Sequence, residues 1–263
     1  MADPNKNPAR GAGKKAAARE RIAAKRAAEA AARAAEQRRR RTVLGGAVAA
    51  AVVVIAVVVA IVVQTSRTST DADAARPDGT SAGGNGYTFT VGQADAPVTV
   101  DLYEDFQCPN CKDFEDAAGS TLEQLAEAGT VQIVYHGMAF LDSSQNDDYS
   151  TRALNAAAVV ASSAGSDAYE TFHDLLYANQ PDERTGSGLT DDQLVAYAEQ
   201  AGATGEDVAA DIRDLVYGEW VKGAEDQASK DGVTGTPTVL VDGTKLTDLS
   251  AAGLTAAVQA ASS

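Results

Sequence analysis

Asp105-Phe106-Gln107-Cys108-Pro109-Asn110-Cys111 holds the only two cysteines of the 263-residue chain, three positions apart. So low a count excludes a structural framework of disulfides and leaves a pair that is catalytic, metal-binding or incidental. The flanking sequence places it. Upstream, Tyr87 to Val91 alternates like a half-buried strand, and Val98 to Tyr103 reads as a second strand rich in β-forming residues. Downstream, Lys112 to Ala128 carries Phe114, Leu122 and Leu125 at broadly helical spacing, with a break expected at Gly119-Ser120. Val131 to Tyr135 then reads as a third strand. The order is strand, helix, strand, with the cysteines where the helix begins.

Two thiols at i and i+3 at a helix start lie on one face, close enough to close a small disulfide ring. Cys108, in the first turn, faces unpaired backbone N–H groups and the positive end of the helix dipole, both of which favour thiolate over thiol. A free cysteine has a pKa of about 8.5, and such settings lower it to about 3.5 to 7.5. This makes Cys108 the candidate nucleophile and Cys111 the resolving thiol, with Pro109 and Asn110 between them. A zinc site needs four ligands. There is no second cysteine pair, and the only histidines, His136 and His173, stand at no ligand spacing, so no metal is expected. Glu104 and Asp105 are candidate proton acceptors for Cys111, set against the plainer reading that they cap the helix or face water. The two histidines read as structural polar contacts.

From Tyr149 to Lys230 no strand pattern appears. Alanine-rich stretches at Ser150 to Ala161, Asp167 to Ala178, Thr190 to Gln200 and Gly205 to Tyr217, then a segment around Trp220, predict a helical insertion. Thr190-Asp191-Asp192-Gln193 matches a capping box. Thr238 to Val241 reads as a strand, Asp242-Gly243 as a hairpin turn, Lys245-Leu246 as the start of the returning strand, and Ser250 to Ala261 as a closing helix.

Two separated stretches now agree. Asp95-Ala96-Pro97-Val98-Thr99-Val100 followed by Asp105 to Cys111, together with Gly235-Thr236-Pro237-Thr238 before a strand, resembles the DsbA-like branch of the thioredoxin superfamily. The likeness covers residues 87–263 and implies an α/β thioredoxin fold with a helical insertion at about 149–230. It implies a protein thiol-disulfide oxidoreductase whose redox-active group is the Cys108–Cys111 disulfide, with no other cofactor. It also makes Pro237 a cis-proline facing the cysteines, with the backbone of Thr236 left free to pair with an extended substrate peptide. Partners implied are secreted or membrane proteins with cysteines and a quinone-linked membrane oxidase, the protein itself being a monomer. The chain departs from the family at two places: Asn110 stands where many relatives carry His, and Leu102 where many carry Glu. A dithiol oxidase is the leading expectation. A reductase or isomerase, for example in cytochrome maturation, is the alternative within redox chemistry, and a non-catalytic peptide-binding module is the alternative outside it.

The rest of the chain divides by composition. Residues 1–41 hold 13 of the 22 Lys and Arg but only Asp3, Glu20, Glu29 and Glu36 of the 37 acidic residues, so a cationic head precedes a strongly anionic body. Such a body repels phosphate backbones, and nucleic-acid binding is not expected of it. Val43 to Val63 contains only Val, Ala, Ile, Leu and Gly, long enough at about 1.5 Å per residue to cross a bilayer core of about 30 Å. The run is longer than a signal-peptide core and passes into Gln64-Thr65-Ser66-Arg67 without an A-x-A site, which favours an uncleaved anchor. Arg38 to Arg41 beside it predict a cytoplasmic N-terminus, a single-pass cell-membrane protein and an extracytoplasmic catalytic domain. The expected organisation is a basic tail over 1–42, a transmembrane helix over 43–63, a flexible linker over 64–86 and the thioredoxin domain over 87–263. As a flexible coil the linker would separate its ends by about 26 Å.

Overall fold

The computed structural model of the chain describes residues 75–80, 86–183 and 186–262. The basic tail, the apolar run 43–63 and most of the linker lie outside them; among the described residues no helix is long and apolar enough to cross a membrane.

The first strand, β1 (Phe89–Val91), is followed by β2 (Val98–Glu104), and β2 leads through α1 (Pro109–Phe114), a π-helical turn (Glu115–Gly119) and α2 (Ser120–Glu127) to β3 (Val131–Gly137). β2 and β3 pair in parallel from Val98↔Val131 to Glu104↔Gly137, and β1 joins β3 antiparallel. An insertion of five helices follows: α3 (Tyr149–Ala164), α4 (Ser166–Ala178), α5 (Asp191–Gln200), α6 (Val208–Arg213) and α7 (Gly218–Lys230). The chain then returns to the sheet as β4 (Thr238–Val241) and β5 (Thr244–Lys245) and closes with α8 (Ala251–Ala261). The strand order is β1-β3-β2-β4-β5. β4 runs antiparallel to β2, so its first residue meets the end of β2, Tyr103 opposite Thr238. That register brings the Thr236-Pro237 segment beside the Cys108 segment.

Side chains alternate across β2 as a strand requires. Val98, Val100 and Leu102 enter the main core, whereas Tyr103 joins Met138 and Ala228 in a small second cluster. The insertion is organised by α3, whose residues Arg152 to Ala161 are all buried. Its run of alanines leaves room for neighbours on every side, and Gly137 on β3 lets Leu154 approach so closely that a Cβ there would run into the leucine side chain. Arg152 ties the insertion together, its guanidinium donating to the carbonyls of Asp147, Ser187 and Leu189 and to Asp191 Oδ1.

The predicted elements are present, with four differences. β1 is shorter than 87–91. The first helix begins at Pro109 and passes through a π turn where a break was expected at Gly119. The helix predicted over 205–217 is confined to Val208–Arg213, because Leu215 takes the left-handed conformation (φ 52°) and turns the chain into α7. Finally, part of the stretch read as linker packs on the domain: Pro77 is buried, the Arg76 guanidinium lies 5.2 Å from the centre of the Tyr87 ring, and Asp78 N donates to Ser162 Oγ. The capping box is formed as read, Thr190 and Gln193 each bonding the other's backbone. Asp242 and Gly243 both have positive φ, as a two-residue type I′ hairpin requires.

Candidate active site

Cys108 is the N-cap of α1 and Pro109 its first residue, a position where proline loses no hydrogen bond. The Cys108 carbonyl accepts from the N–H groups of Cys111 (3.1 Å) and Lys112 (3.2 Å), which folds the C-x-x-C loop into the first turn. Both cysteines are free thiols and both are buried, Cys108 at 6% exposure and Cys111 at 1%. Their chemistry is opposite. The Cys108 thiol is pulled down to about 6, chiefly because the Cys111 thiol donates to its sulfur, opposed by burial and aided by the Thr236 side chain and by the Cys111 and Asn110 backbone N–H groups. The Cys111 thiol is pushed far above its ordinary value by burial, by its donation to Cys108 and by the nearby Cys108 and Glu104 charges, although the Asp105 backbone N–H points at it.

Across from the pair, the Thr236–Pro237 bond is cis and the Thr236 carbonyl lies 3.6 Å from Cys108 Sγ. Thr238 Oγ1 donates to the Gly235 carbonyl and holds this loop. A cavity of about 590 Å³ opens over Cys108, walled by Pro109, Asn110, Phe140, Val233 and Thr236 among others. Among the described residues Phe140 is one of the few large apolar side chains that is well exposed, 37%.

Glu104 and Asp105 turn out to be buried, not solvent-facing. Asp105 accepts from Gln107 N (2.8 Å), Ser150 Oγ (2.7 Å) and Leu141 N (3.1 Å), so its carboxylate joins the active-site loop to α3. Burial nonetheless raises it to about 7, against those three donors. The Glu104 charge acts on Cys111, and its carboxylate is held by Tyr177, whose Oη donates to Oε2 (3.2 Å), and by His173, whose Nε2 lies 2.9 Å from Oε1. Sequence reasoning did not assign His173 or Tyr177 to the site. It also missed Gln180, whose Nε2 donates to the carbonyls of Phe106 (3.0 Å) and Cys108 (2.9 Å) and so pins the loop leading into α1. No local pattern marks these residues, which stand some seventy positions away on the insertion.

The arrangement has known counterparts. A thioredoxin family model, Thioredoxin_4, matches residues 84–260, and the chain belongs to that family. Among solved structures, it is similar to reduced disulfide bond oxidoreductase DsbG from Mycobacterium tuberculosis, at 32% identity and a TM-score of 0.60 over 65% of this chain and 85% of that one. It is also similar to oxidised DsbA from the same organism, at 31% identity and a TM-score of 0.60 over 66% and 92%. Among curated relatives, serine/threonine-protein kinase PknE of M. tuberculosis is 33% identical over 116 residues, 43% of this chain; the chain spans 20% of that kinase's length. The domain is thus of the DsbA-like thiol-disulfide oxidoreductase class, and its C-x-x-C pair is Cys108–Cys111.

Proposed function

We propose that the protein is a membrane-anchored, extracytoplasmic dithiol oxidase that introduces disulfides into secreted or membrane proteins. The observation that carries this reading is the contrast between the cysteines: the donors around Cys108 pull its thiol down to about 6, while burial pushes the Cys111 thiol far up. Stabilising the thiolate stabilises the reduced enzyme, and an enzyme stable when reduced is a strong oxidant when oxidised.

In the oxidised enzyme, a client thiolate attacks Cys108 Sγ. The Cys108–Cys111 bond breaks as the mixed disulfide forms, and Cys111 departs with the electron pair. A second client thiolate then attacks the client sulfur of the mixed disulfide and releases Cys108 as thiolate, a good leaving group at about pKa 6. The client leaves with a disulfide and the enzyme is left reduced, to be reoxidised by a quinone-linked membrane partner. Thr236 and Pro237 hold the client strand, the Thr236 carbonyl accepting a client backbone N–H over Cys108. Glu104 is the proton acceptor for Cys111 when the pair is reoxidised. The apolar run 43–63 keeps the domain outside the cytoplasm, where disulfides persist.

Asn110 supports a second reading, a reductase or isomerase, because an amide lacks the cationic imidazole that would further favour thiolate. Equilibration of the pair against glutathione separates the two. A potential more oxidising than about −180 mV is expected, whereas one near about −270 mV assigns the protein to reduction. Cys108→Ser should abolish dithiol oxidation and Cys111→Ser should trap mixed disulfides; disulfide formation by the double variant sinks the oxidase reading.

A further inference from the structure

Exchange at the cysteines leaves a problem of protons. When Cys108 is attacked, Cys111 departs as a thiolate at a position 1% exposed, where bulk water does not reach it and where burial strongly disfavours the charge. The proton it needs must come through the protein.

From Glu104, whose charge acts on Cys111, a chain of bonded titratable groups runs from the interior to solvent. His173 on α4 is buried, yet both its ring nitrogens are engaged. Nε2 lies 3.0 Å from Glu104 Oε2, and Nδ1 lies 3.3 Å from Asp174 Oδ1. The Glu104 side chain is as buried as the imidazole, 1%, whereas the Asp174 side chain is 51% exposed. An imidazole can take a proton at one nitrogen and give one from the other, which no other side chain does near neutral pH. Glu104, on the inner side, is close enough to Cys111 for its charge to help hold that thiol protonated.

We propose that His173 is the proton conduit of the active site, passing protons between exposed Asp174 and buried Glu104 and, through Glu104, to and from the sulfur of Cys111. This rests on the disulfide exchange proposed above. In the oxidising direction the Cys108–Cys111 bond breaks as the Cys108–client bond forms, and the electron pair goes to Cys111. The Nε2 proton of the charged imidazole passes through the Glu104 carboxylate to that sulfur, which leaves a neutral ring with its proton on Nδ1. The ring turns to take up a second proton from water by way of Asp174, and Glu104 ends as it began, a carboxylate. In this half-reaction the oxidant is the enzyme's own disulfide. Reoxidation runs the proton path backwards: the partner's disulfide forms a mixed disulfide with Cys108, Cys111 gives up its proton and attacks Cys108, and the partner leaves reduced.

The surroundings suit a proton carrier. Burial opposes a charge on His173, but Glu104 on β2, Asp174 on its own helix and Glu115 in the π turn outweigh it and raise the imidazole well above its ordinary value. Tyr135 on β3 and Tyr169 and Tyr177 on α4 pack around the ring, and burial holds all three as neutral phenols. Glu123 on α2 and Glu170 on α4 add weaker negative charge from further out. Phe106 closes the remaining side. The imidazole therefore holds its proton at rest, and only a stronger base draws it off. A Cys111 thiolate in this setting is such a base.

His173 and Asp174 act through Glu104 and touch no substrate, so the test must read proton transfer and not only turnover. The full-length chain, oxidised and in detergent, is reduced by dithiothreitol from pH 5.5 to 9 in H2O and in D2O. In His173→Gln we expect the step that releases Cys111 to slow at least about tenfold at pH 7, with a changed pH profile and a larger solvent isotope effect. Asp174→Asn should shift the same profile in the same direction, and Asp174→Glu should restore it. A folded His173→Gln chain within about twofold of wild type, with an unchanged profile and isotope effect, overturns the proposal. If that variant does not fold, Asp174→Asn decides: slowing that Asp174→Glu reverses supports the conduit, and an unchanged profile overturns it. A wild-type chain that exchanges no disulfide overturns the functional reading as well; an active wild type with indifferent variants overturns only the conduit.

Discussion

Cys108 and Cys111 are the same residue type three positions apart, and their opposite acidities come from where each sulfur points. Cys108 collects a thiol, the Thr236 side chain and two backbone N–H donors at a helix start, while Cys111 is buried in the core within reach of the Glu104 charge. The thiolate is therefore stabilised by hydrogen bonds without the imidazole that Asn110 replaces. Alkylation of the reduced protein by iodoacetamide should modify Cys108 alone, with a rate that rises through about pH 6 and is flat by about pH 7.5, since only the thiolate reacts. An inflection near the free-cysteine value of about 8.5 would show that the site gives no such stabilisation. Of the two acidic candidates, Glu104 is the one whose charge reaches Cys111. The Asp105 carboxylate is committed to the loop, although its backbone N–H points at the Cys111 sulfur.

Helices and strands were largely legible, because the periodicity of apolar residues records which face is buried. β2, β3, α4, α5 and β4 fall where the pattern puts them. The π turn does not announce itself in this way. The π turn at Glu115–Gly119 carries Glu115, whose carboxylate lies close to Glu104 and His173, and a Cβ at Gly119 would oblige that carboxylate to move. The sequence showed a helix breaker; the groups gathered beside it come from other elements. Gly137 is a comparable case, a strand residue whose missing side chain admits Leu154 of α3. Gly137→Ala should force these elements apart and lower stability by about 1 to 3 kcal/mol in urea denaturation. Unchanged stability would mean that the insertion shifts freely on the sheet.

The whole chain pairs a basic head with an acidic body across an apolar run, an arrangement that predicts topology as well as attachment. The full-length protein should stay with membranes through an alkaline wash, and a chain lacking residues 1–66 should be released; retention of the shortened form would place the attachment in the domain. The contacts of Arg76, Pro77 and Asp78 also draw the domain boundary further toward the N-terminus than composition suggested. Composition sees only that such a stretch cannot build a core, not that it can lie on one.

The C-x-x-C loop, the strands and helices flanking it, the helical insertion and the Thr236-Pro237 motif were determined by the sequence, since each rests on local spacing or on neighbours a few residues apart. The tertiary structure decided what those parts face. Cys108 meets Thr236 across 128 positions, and Glu104 meets His173 across 69. Both encounters follow from the order of strands in the sheet and the packing of the insertion against it. Those are long-range choices, driven by burial of side chains drawn from the whole domain, and no window of sequence contains them.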